Sequence, residues 1–404
     1  MVATLGLTAA GVAVWNAAAP VEPTGILIDE FAEAPEIGAW TLSLGLLRLD
    51  AAGVCEAGQD AALLILHDEL GDPAALRLLN TATGDSAWEV PLPDGLDTVE
   101  CALASIEREA AVITTVDLDR HHGILGVDLE DGAIITPSMP AELLIGSGGP
   151  DGVDGDVIVA TAEGVSRLDL VTLEPVWTVP EPGASVAAGP GVVIIGEQVV
   201  RFADGSDAGW SAPEGAWGAV DGQLLRVDRD GADAVVHAVD GGSGRERWSL
   251  DLGAASAIPI DGADVLLMTG AQIDGLQAIR LGDGGTAWRR DETLGEEPAL
   301  LLGSGRAGIA LLPITGDATL VAVIDLSTGE RRFDLAVGDP SAPSRIVAIT
   351  AETITLTNAE GELVAVDALD GDVRWRLTPD PLGGEVLEVG GRFIQLVPGA
   401  VVGI

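Results

Sequence analysis

Clusters of acidic residues are the first feature of this sequence that could do chemistry. Asp228, Asp230 and Asp233 surround a glycine in the string VDRDGADA, and such short spacing of carboxylates is typical of a calcium-binding loop. A second set with similar spacing comprises Asp151, Asp154 and Asp156. Tight hairpin turns in an acidic chain produce the same pattern without any metal, so a solvated turn is the alternative interpretation at both places.

A mixed acidic and histidine cluster is the other candidate for metal binding. It comprises Asp117, Asp119, His121 and His122, whose side chains suit a transition metal. No second cluster in the sequence completes the ligand set. The sequence also contains no HExxH string, no Gly-x-Ser-x-Gly elbow and no P-loop. We therefore predict no catalytic residues, no cofactor-binding residues and no established metal site.

Repeated sequence units predict the β-strands that would position these acidic residues and histidines. The strings AVDGGSGRERW (238–248) and AVDALDGDVRW (365–375) share an Asp, a Gly four residues later and a Trp four residues after that. Weaker copies recur along the chain at a spacing of 33 to 48 residues. The final position of the unit falls at Trp40, Trp88, Thr136, Trp177, Trp210, Trp248, Trp288, Phe333 and Trp375. This period is typical of one four-stranded blade of a β-propeller.

Each repeat has the internal order expected of such a blade. A short strand of small residues (184–189), an apolar strand (192–196) and an alternating strand (198–203) precede the strand that carries the aromatic residue. The Asp is expected to cap backbone N–H groups at the tight turn before that strand, and the Gly to supply a positive φ. The aromatic side chain is expected to pack between neighbouring blades, so we assign no ligand to it.

At these residues the chain resembles the PQQ-like repeat family of quinoprotein alcohol dehydrogenase-like β-propellers, whose signature is Ala-x-Asp-x-x-Thr-Gly-x-x-x-Trp. The family includes PQQ-dependent alcohol dehydrogenases and outer-membrane assembly lipoproteins that bind proteins. The resemblance implies for an enzyme a metal beside the quinone, a catalytic carboxylate and usually an adjacent cysteine pair. Here the two cysteines, Cys55 and Cys101, are far apart in sequence.

The ends of the chain predict how the ring closes. Three strands follow Trp375, at 385–389, 392–397 and 400–404, whereas Trp40 lies on a fourth strand with no preceding three. The terminal strands are therefore expected to complete one shared blade, which removes an open sheet edge. We predict an all-β, eight-bladed propeller of four-stranded antiparallel blades over residues 37–404, with nine blades as the alternative.

The two cysteines are predicted to meet near the propeller axis. Cys55 and Cys101 fall on the predicted first strands of consecutive units, and an exported protein meets an oxidising environment. We therefore predict a disulfide between them. Two buried thiols are the alternative, because inner strands of neighbouring blades can lie farther apart than a bridge allows.

The first residues predict a membrane or export segment. Residues 2–19 are almost uninterruptedly apolar, and Ala17-Ala18-Ala19 before Pro20 suits signal-peptidase cleavage. Residues 1–20 are interpreted as a transmembrane or signal segment and residues 21–36 as a tether. The propeller is then expected outside the cytoplasm, at the cell membrane, or secreted if the segment is cleaved.

The charge of the chain limits its partners. Asp and Glu number 64 against 20 basic residues, a formal charge of −44, which excludes a protein that binds nucleic acid through phosphate contacts. We predict a monomeric, non-catalytic scaffold that binds a protein or another component of the cell envelope through its longer loops, such as 69–75, 117–123 and 148–156. No cofactor is predicted, with PQQ or calcium as alternatives. The alternative functions are a PQQ-dependent oxidoreductase and a carbohydrate- or metal-binding sensor.

Overall fold

The fold is all β in the part of the chain that the computed structural model describes. The described residues are 40–45, 47–49, 53–105, 109–118, 121–135, 141–146, 156–220, 223–230, 233–253, 255–260, 262–269, 275–290, 302–304, 307–314, 317–336, 345–357, 362–378, 385–389, 391–397 and 399–404. The predicted membrane or signal segment and tether lie outside them. Among the described residues, none forms a helix long and apolar enough to cross a membrane.

The described strands form nine antiparallel sheets of four strands each. Strand β1 (Thr41–Ser43) belongs to the sheet that closes the ring. Blades 1 to 4 comprise β2 (Val54–Gly58), β3 (Ala61–His67), β4 (Pro73–Asn80) and β5 (Ser86–Pro91); β6 (Leu96–Ser105), β7 (Ala110–Asp117), β8 (His122–Asp128) and β9 (Ile134–Ile135); β10 (Ala141–Gly146), β11 (Asp156–Thr161), β12 (Gly164–Asp169) and β13 (Pro175–Val179); and β14 (Val186–Gly189), β15 (Val192–Ile195), β16 (Gln198–Arg201) and β17 (Asp207–Ser211).

The remaining blades continue in chain order. Blades 5 to 8 comprise β18 (Ala216–Val220), β19 (Gln223–Asp230), β20 (Asp233–Val239) and β21 (Glu246–Gly253); β22 (Ser256–Pro259), β23 (Val265–Thr269), β24 (Leu276–Arg280) and β25 (Thr286–Arg290); β26 (Leu302–Ser304), β27 (Ile309–Ile314), β28 (Asp317–Asp325) and β29 (Arg331–Ala336); and β30 (Arg345–Ile349), β31 (Thr353–Thr357), β32 (Leu363–Asp367) and β33 (Val373–Leu377). Blade 9 contains β34 (Glu385–Val389), β35 (Arg392–Val397) and β36 (Ala400–Gly403).

Blade 9 is the shared blade that the sequence predicts. Strand β1 pairs with β36 in the register Thr41↔Val402, so an N-terminal strand completes a sheet of three C-terminal strands. The described hydrophobic clusters confirm a closed ring, because each of the nine joins two consecutive blades, including blade 8 to blade 9 and blade 9 to blade 1. The β-propeller prediction is confirmed.

The described residues form nine blades rather than the eight that the sequence analysis favoured, and nine was its stated alternative. The expectation of eight came from the resemblance, because propellers of the PQQ-like family usually have eight blades and one repeat was expected to be incomplete. Even the shortened repeat that ends at Trp210 builds a complete sheet, blade 4, from strands of four or five residues.

The repeated Asp organises the turn before the outer strand, as predicted. In blade 7, Asp325 Oδ1 accepts hydrogen bonds from the backbone N–H groups of Ser327 (2.9 Å) and Thr328 (3.1 Å), and Oδ2 accepts one from Arg332 Nη2 (2.6 Å). Burial opposes ionisation of Asp325, but hydrogen bonds from Ser327 and Arg332 outweigh burial and lower its pKa to about 2. The Asp325 carboxylate therefore keeps its charge at neutral pH.

The repeated Trp joins each blade to the next. Trp288 of blade 6 donates a hydrogen bond from Nε1 to the carbonyl oxygen of Leu326 in the blade 7 turn, at 2.7 Å. The same bond is made by Trp40 to Thr81, Trp88 to Leu129, Trp177 to Phe202, Trp210 to Gly241 and Trp248 to Leu281, at 2.8–2.9 Å. The predicted packing of the aromatic residue between blades is confirmed, with a polar contact that the sequence analysis did not anticipate.

Blade 7 shows what replaces this hydrogen bond when the aromatic residue is Phe333, which has no N–H. The equivalent carbonyl in blade 8 belongs to Ala368, and it accepts a hydrogen bond from Arg332 Nη1 at 3.0 Å. An arginine adjacent to the aromatic residue thus satisfies a carbonyl that would otherwise lack its donor.

Candidate binding face and the acidic hairpin of blade 5

The predicted calcium loop is the hairpin between β19 and β20, where Asp230 pairs with Asp233. The Asp228 carboxylate is engaged elsewhere, since its Oδ2 lies 2.7 Å from Arg226 Nη2 and 3.1 Å from His237 Nε2. Gly231 and Ala232 lie outside the described residues. Among the residues described, no group of three His, Cys, Asp or Glu side chains is arranged to hold a metal. The calcium prediction stays a prediction.

The other predicted metal candidates fall partly outside the described residues. Asp119 is not described, and neither are Asp151 and Asp154. His121 is described, and its Nδ1 lies 3.1 Å from Asp117 Oδ2 in an exposed pair at one hairpin. The structure thus gives His121 a carboxylate partner in its own turn.

The cysteines lie where the sequence predicts, on the first strands of blades 1 and 2. The structure links the sulfur atoms of Cys55 on β2 and Cys101 on β6, with Cα atoms 5.9 Å apart, inside the range that a disulfide allows. Both side chains pack against the hydrophobic cluster between these two blades. The bond therefore fixes blade 1 to blade 2 at their inner edges.

The oxidation state of this pair is open to direct measurement. Denatured, unreduced protein is expected to contain no titratable thiol. Replacing Cys55 and Cys101 together by Ala is expected to lower the free energy of unfolding by about 4 kcal/mol, because the bridge closes a loop of 46 residues in the unfolded chain. Thiol titration and denaturant unfolding check the two statements. Two free thiols in the unreduced protein would contradict the prediction.

Two hairpins on the same face of blades 1 and 2 form the candidate binding face. Each joins the second and third strands of its blade, at residues 68–72 and 118–121, and equivalent loops of consecutive blades lie side by side in a ring. The third loop that the sequence analysis favoured, 148–156, joins a first strand to a second strand. Residues 148–155 are outside those described.

The blade 1 hairpin holds an exposed leucine in a fixed turn. Asp68 Oδ1 accepts hydrogen bonds from three backbone N–H groups, those of Leu70 (2.7 Å), Gly71 (3.0 Å) and Asp72 (3.1 Å). The base of the hairpin is tied to the incoming chain, because His67 and Arg48 exchange backbone hydrogen bonds of 2.8 and 2.9 Å. Leu70 nevertheless exposes 86% of its surface. A rigid turn thus presents a large apolar side chain to solvent.

The blade 2 hairpin repeats this arrangement. Asp117 Oδ1 accepts a hydrogen bond from the N–H of His121 at 2.9 Å. The N–H of Leu118 bonds to the carbonyl of Gly95 in the connection entering blade 2 (3.2 Å), and Leu118 is 69% exposed. The sequence analysis named both hairpins but neither leucine. The available signal was a large apolar residue within a turn of charged residues.

Acidic side chains surround Leu70. The blade 1 hairpin carries Asp68, Glu69 and Asp72, and the connection into blade 2 carries an exposed Asp94. The blade 2 hairpin is mixed in charge, because its sequence continues from Leu118 through Asp119 to Arg120. A complementary surface would therefore combine apolar side chains with lysine or arginine.

Part of the chain matches a known protein family. A family model described as outer membrane protein assembly factor BamB matches residues 206–353. These residues carry PQQ-like repeats. The match spans blades 5 to 7 and parts of blades 4 and 8, and it agrees with the repeat signature in the sequence. No curated protein matches this chain.

Several solved structures resemble this chain in general fold. BamB from Moraxella catarrhalis is 15% identical with a TM-score of 0.40, over 90% of this chain and 98% of that one. A quinohemoprotein alcohol dehydrogenase from Comamonas testosteroni is 12% identical with a TM-score of 0.43, over 90% and 75%. Sqt1 from Saccharomyces cerevisiae is 9% identical with a TM-score of 0.47, over 90% and 97%. At these values the likeness carries no conclusion about activity.

The cysteines of this propeller do not match the set that a quinone site implies. Such an enzyme usually has two adjacent cysteines against the cofactor, whereas Cys55 and Cys101 belong to different blades and are joined to each other. We therefore derive no step of chemistry through PQQ.

Proposed function

We propose that this propeller is a non-catalytic scaffold that binds a protein segment on the face carrying Leu70 and Leu118. The main support is a pair of exposed leucines, Leu70 and Leu118, in equivalent connections of two blades that Cys55 and Cys101 link. The match to the BamB model supports a role in binding other proteins. Our proposal also places the propeller outside the cytoplasm, held at the membrane by the apolar N-terminal segment or secreted after cleavage, and acting as a monomer.

The chemistry of this face defines the partner. Burying a leucine side chain contributes roughly 1.5–3 kcal/mol, and the surrounding carboxylates favour cations at the rim of the contact. The partner is therefore a segment that alternates apolar and basic residues. Because the propeller carries a formal charge of −44, association should be fast at low salt and weaken as the salt concentration rises.

Replacing Leu70 and Leu118 by Asp is expected to weaken binding of a labelled peptide with alternating Leu and Lys by at least about tenfold. Fluorescence anisotropy measures this change, and thermal melts verify folding. Leu369→Asp is the matched control, because Leu369 is 67% exposed in a turn on the opposite face. A peptide of Lys and Ser with the same charge separates general attraction from leucine contact.

Two results would overturn the proposal. Equal binding by the double variant and by Leu369→Asp would show that the leucines do not contact the partner. Alcohol oxidation after addition of PQQ and calcium, with a quinone absorbance band on the protein, would favour the alternative of a PQQ-dependent oxidoreductase.

A further inference from the structure

A glycine of one blade lies against an aromatic ring of the preceding blade at seven of the nine seams of the ring. Each of these glycines has a positive φ, and a Cβ added to it would lie within 3.0 Å of the aromatic side chain. The pairs are Gly84 with Trp40, Gly132 with Trp88, Gly205 with Trp177, Gly244 with Trp210, Gly284 with Trp248, Gly329 with Trp288 and Gly371 with Phe333. The seven seams therefore share one contact, between a ring and a turn that has no side chain at that point.

The seam between blades 2 and 3 has neither member of this pair. The turn between β12 and β13 has Leu173 where the other turns have glycine, and its φ is +54°. The turn itself keeps the common form, because the N–H of Leu173 bonds to the carbonyl of Asp169 (2.9 Å) and Asp169 Oδ1 accepts a hydrogen bond from the N–H of Thr172 (2.8 Å). A leucine with this left-handed backbone is rare and costs free energy. A contact of its side chain is needed to offset that cost.

Blade 2 presents an aliphatic residue where other blades present the ring. In blade 5 the ring of Trp248 lies on the outer strand opposite Ala238 of the third strand. The equivalent residue of the third strand in blade 2 is Gly126, two residues before the repeated Asp, and it pairs with Ile135. Ile135 thus takes the place of the aromatic residue, whereas the sequence spacing assigns that place to Thr136.

Leu173 fills the space that the ring occupies at other seams. Its side chain is 1% exposed and belongs to one cluster with Val112 and Ile124 of blade 2, and Ile135 packs against the same cluster. A Cβ on Gly126 would lie 2.9 Å from Leu173 Cδ1, so the leucine lies directly over this glycine. Burying a leucine side chain yields at least as much free energy as a left-handed backbone costs. The seam is therefore filled from blade 3 instead of from blade 2.

The two kinds of seam exclude each other. A leucine in the turn leaves no room for a tryptophan of the preceding blade, because at the common seams even a Cβ would collide with the ring. Ile135 leaves a void against a turn that carries glycine, since isoleucine fills much less of the seam than tryptophan does. Blade 3 therefore fits a preceding blade that lacks the ring, and blade 2 fits a following turn that carries a large aliphatic side chain.

We propose that Leu173 and Ile135 form a register lock, which makes blades 2 and 3 fit each other and reject blades that carry the common pair. A chain of nine similar blades can join the wrong pair during folding, because seams with the same contact do not distinguish their neighbours. One seam of different shape excludes such alternatives. The lock lies where blades 1 and 2, which Cys55 and Cys101 join, meet the rest of the ring.

The test replaces this pair by the common one in the full chain. Ile135→Trp alone should lower the melting temperature by at least about 3 °C, because the ring collides with Leu173. Leu173→Gly alone should lower it by at least about 3 °C through the cavity that it leaves. The double variant rebuilds a common seam, so it should melt within about 1 °C of the unmodified protein. A double variant whose loss equals the sum of the two single losses would overturn the steric fit.

Refolding from denaturant tests the lock itself, with size-exclusion chromatography to measure the recovered monomer. The double variant should be stable once folded but should yield at least about twofold less monomer than the unmodified protein, because its seams no longer differ. Equal recovery would show that the order of the blades is fixed elsewhere and would overturn the register lock.

A second set of variants does not depend on the folding of blade 2. Gly284→Leu in blade 6 should lower the melting temperature by at least about 3 °C more than Gly308→Leu does. Gly308→Leu is the matched control, because Gly308 also has a positive φ but no atom within 4 Å of an added Cβ, so it measures the backbone cost. Adding Trp248→Ile to Gly284→Leu copies the pair of Ile135 and Leu173 and should raise the melting temperature again. Equal losses in the two leucine variants, or no recovery with Trp248→Ile, would overturn the proposal.

Discussion

Deletion of residues 383–404 is expected to abolish the folded monomer. It removes β34, β35 and β36, three of the four strands of blade 9, and leaves β1 without its partner. The hydrophobic clusters on both sides of that blade, which contain Phe393 and Ile394 at 1% and 0% exposure, would lose their packing. The ring would end in unpaired strand edges, which template aggregation.

Size-exclusion chromatography and light scattering of the refolded proteins measure this effect. Deletion of residues 1–19 is the control, and we predict that it leaves the ring soluble, because strand β1 begins at Thr41. A soluble monomer from the 383–404 deletion, with a melting temperature like that of the control, would show that blade 9 does not close the ring.

Closure was predictable because the terminal strands follow the repeat pattern closely. The strands predicted at 385–389 and 392–397 have those bounds in the structure, and the last one ends at Gly403 rather than residue 404. Alternation of apolar residues and the Gly-Gly and Pro-Gly turns at 390–391 and 398–399 define these elements locally. The blade count was harder to predict, since a shortened repeat such as that of blade 4 does not reveal from sequence whether its strands complete a sheet.

The contacts of His237 with Asp228 and Glu246 could not be predicted in the same way. Asp228 and Glu246 lie nine residues before and after it, on two different strands, and only the register of β20 with its neighbours brings them together. Periodicity shows which residues share a face but does not fix this register. The exposure of Leu70 and Leu118 likewise depends on the conformation of their loops. From hydrophobicity alone, both leucines would be expected to be buried.

Arg332 donates the hydrogen bond that a tryptophan Nε1 donates in other blades, and this contact between blades could not be predicted either. The sequence shows Phe333 at the aromatic position and an arginine before it, but several repeats carry arginine there. Only the structure shows that Arg332 reaches Ala368 in the next blade. The repeat signature thus predicts the turns within a blade better than the polar contacts that join one blade to the next.

The Gly of the repeat has two separate reasons to be Gly, and a pair of variants in blade 7 can distinguish them. Gly329 has φ of +71°, and a Cβ there would lie 2.4 Å from Cε3 of Trp288 in blade 6. Gly308 has φ of +65°, with no atom within 4 Å of an added Cβ. Both substitutions by Ala incur the cost of the left-handed backbone, but only Gly329→Ala also collides with the neighbouring blade.

Gly308→Ala is therefore expected to lower the free energy of unfolding by about 1–2 kcal/mol, the cost of a left-handed conformation for a residue with a Cβ. Gly329→Ala is expected to lower it by about 2–5 kcal/mol, because overpacking adds a further 1–3 kcal/mol when Trp288 is displaced. Displacing this ring also disturbs its hydrogen bond to Leu326. Denaturant unfolding of the two variants measures the difference, and equal losses would show that the contact between Gly and Trp does not hold blade 6 to blade 7.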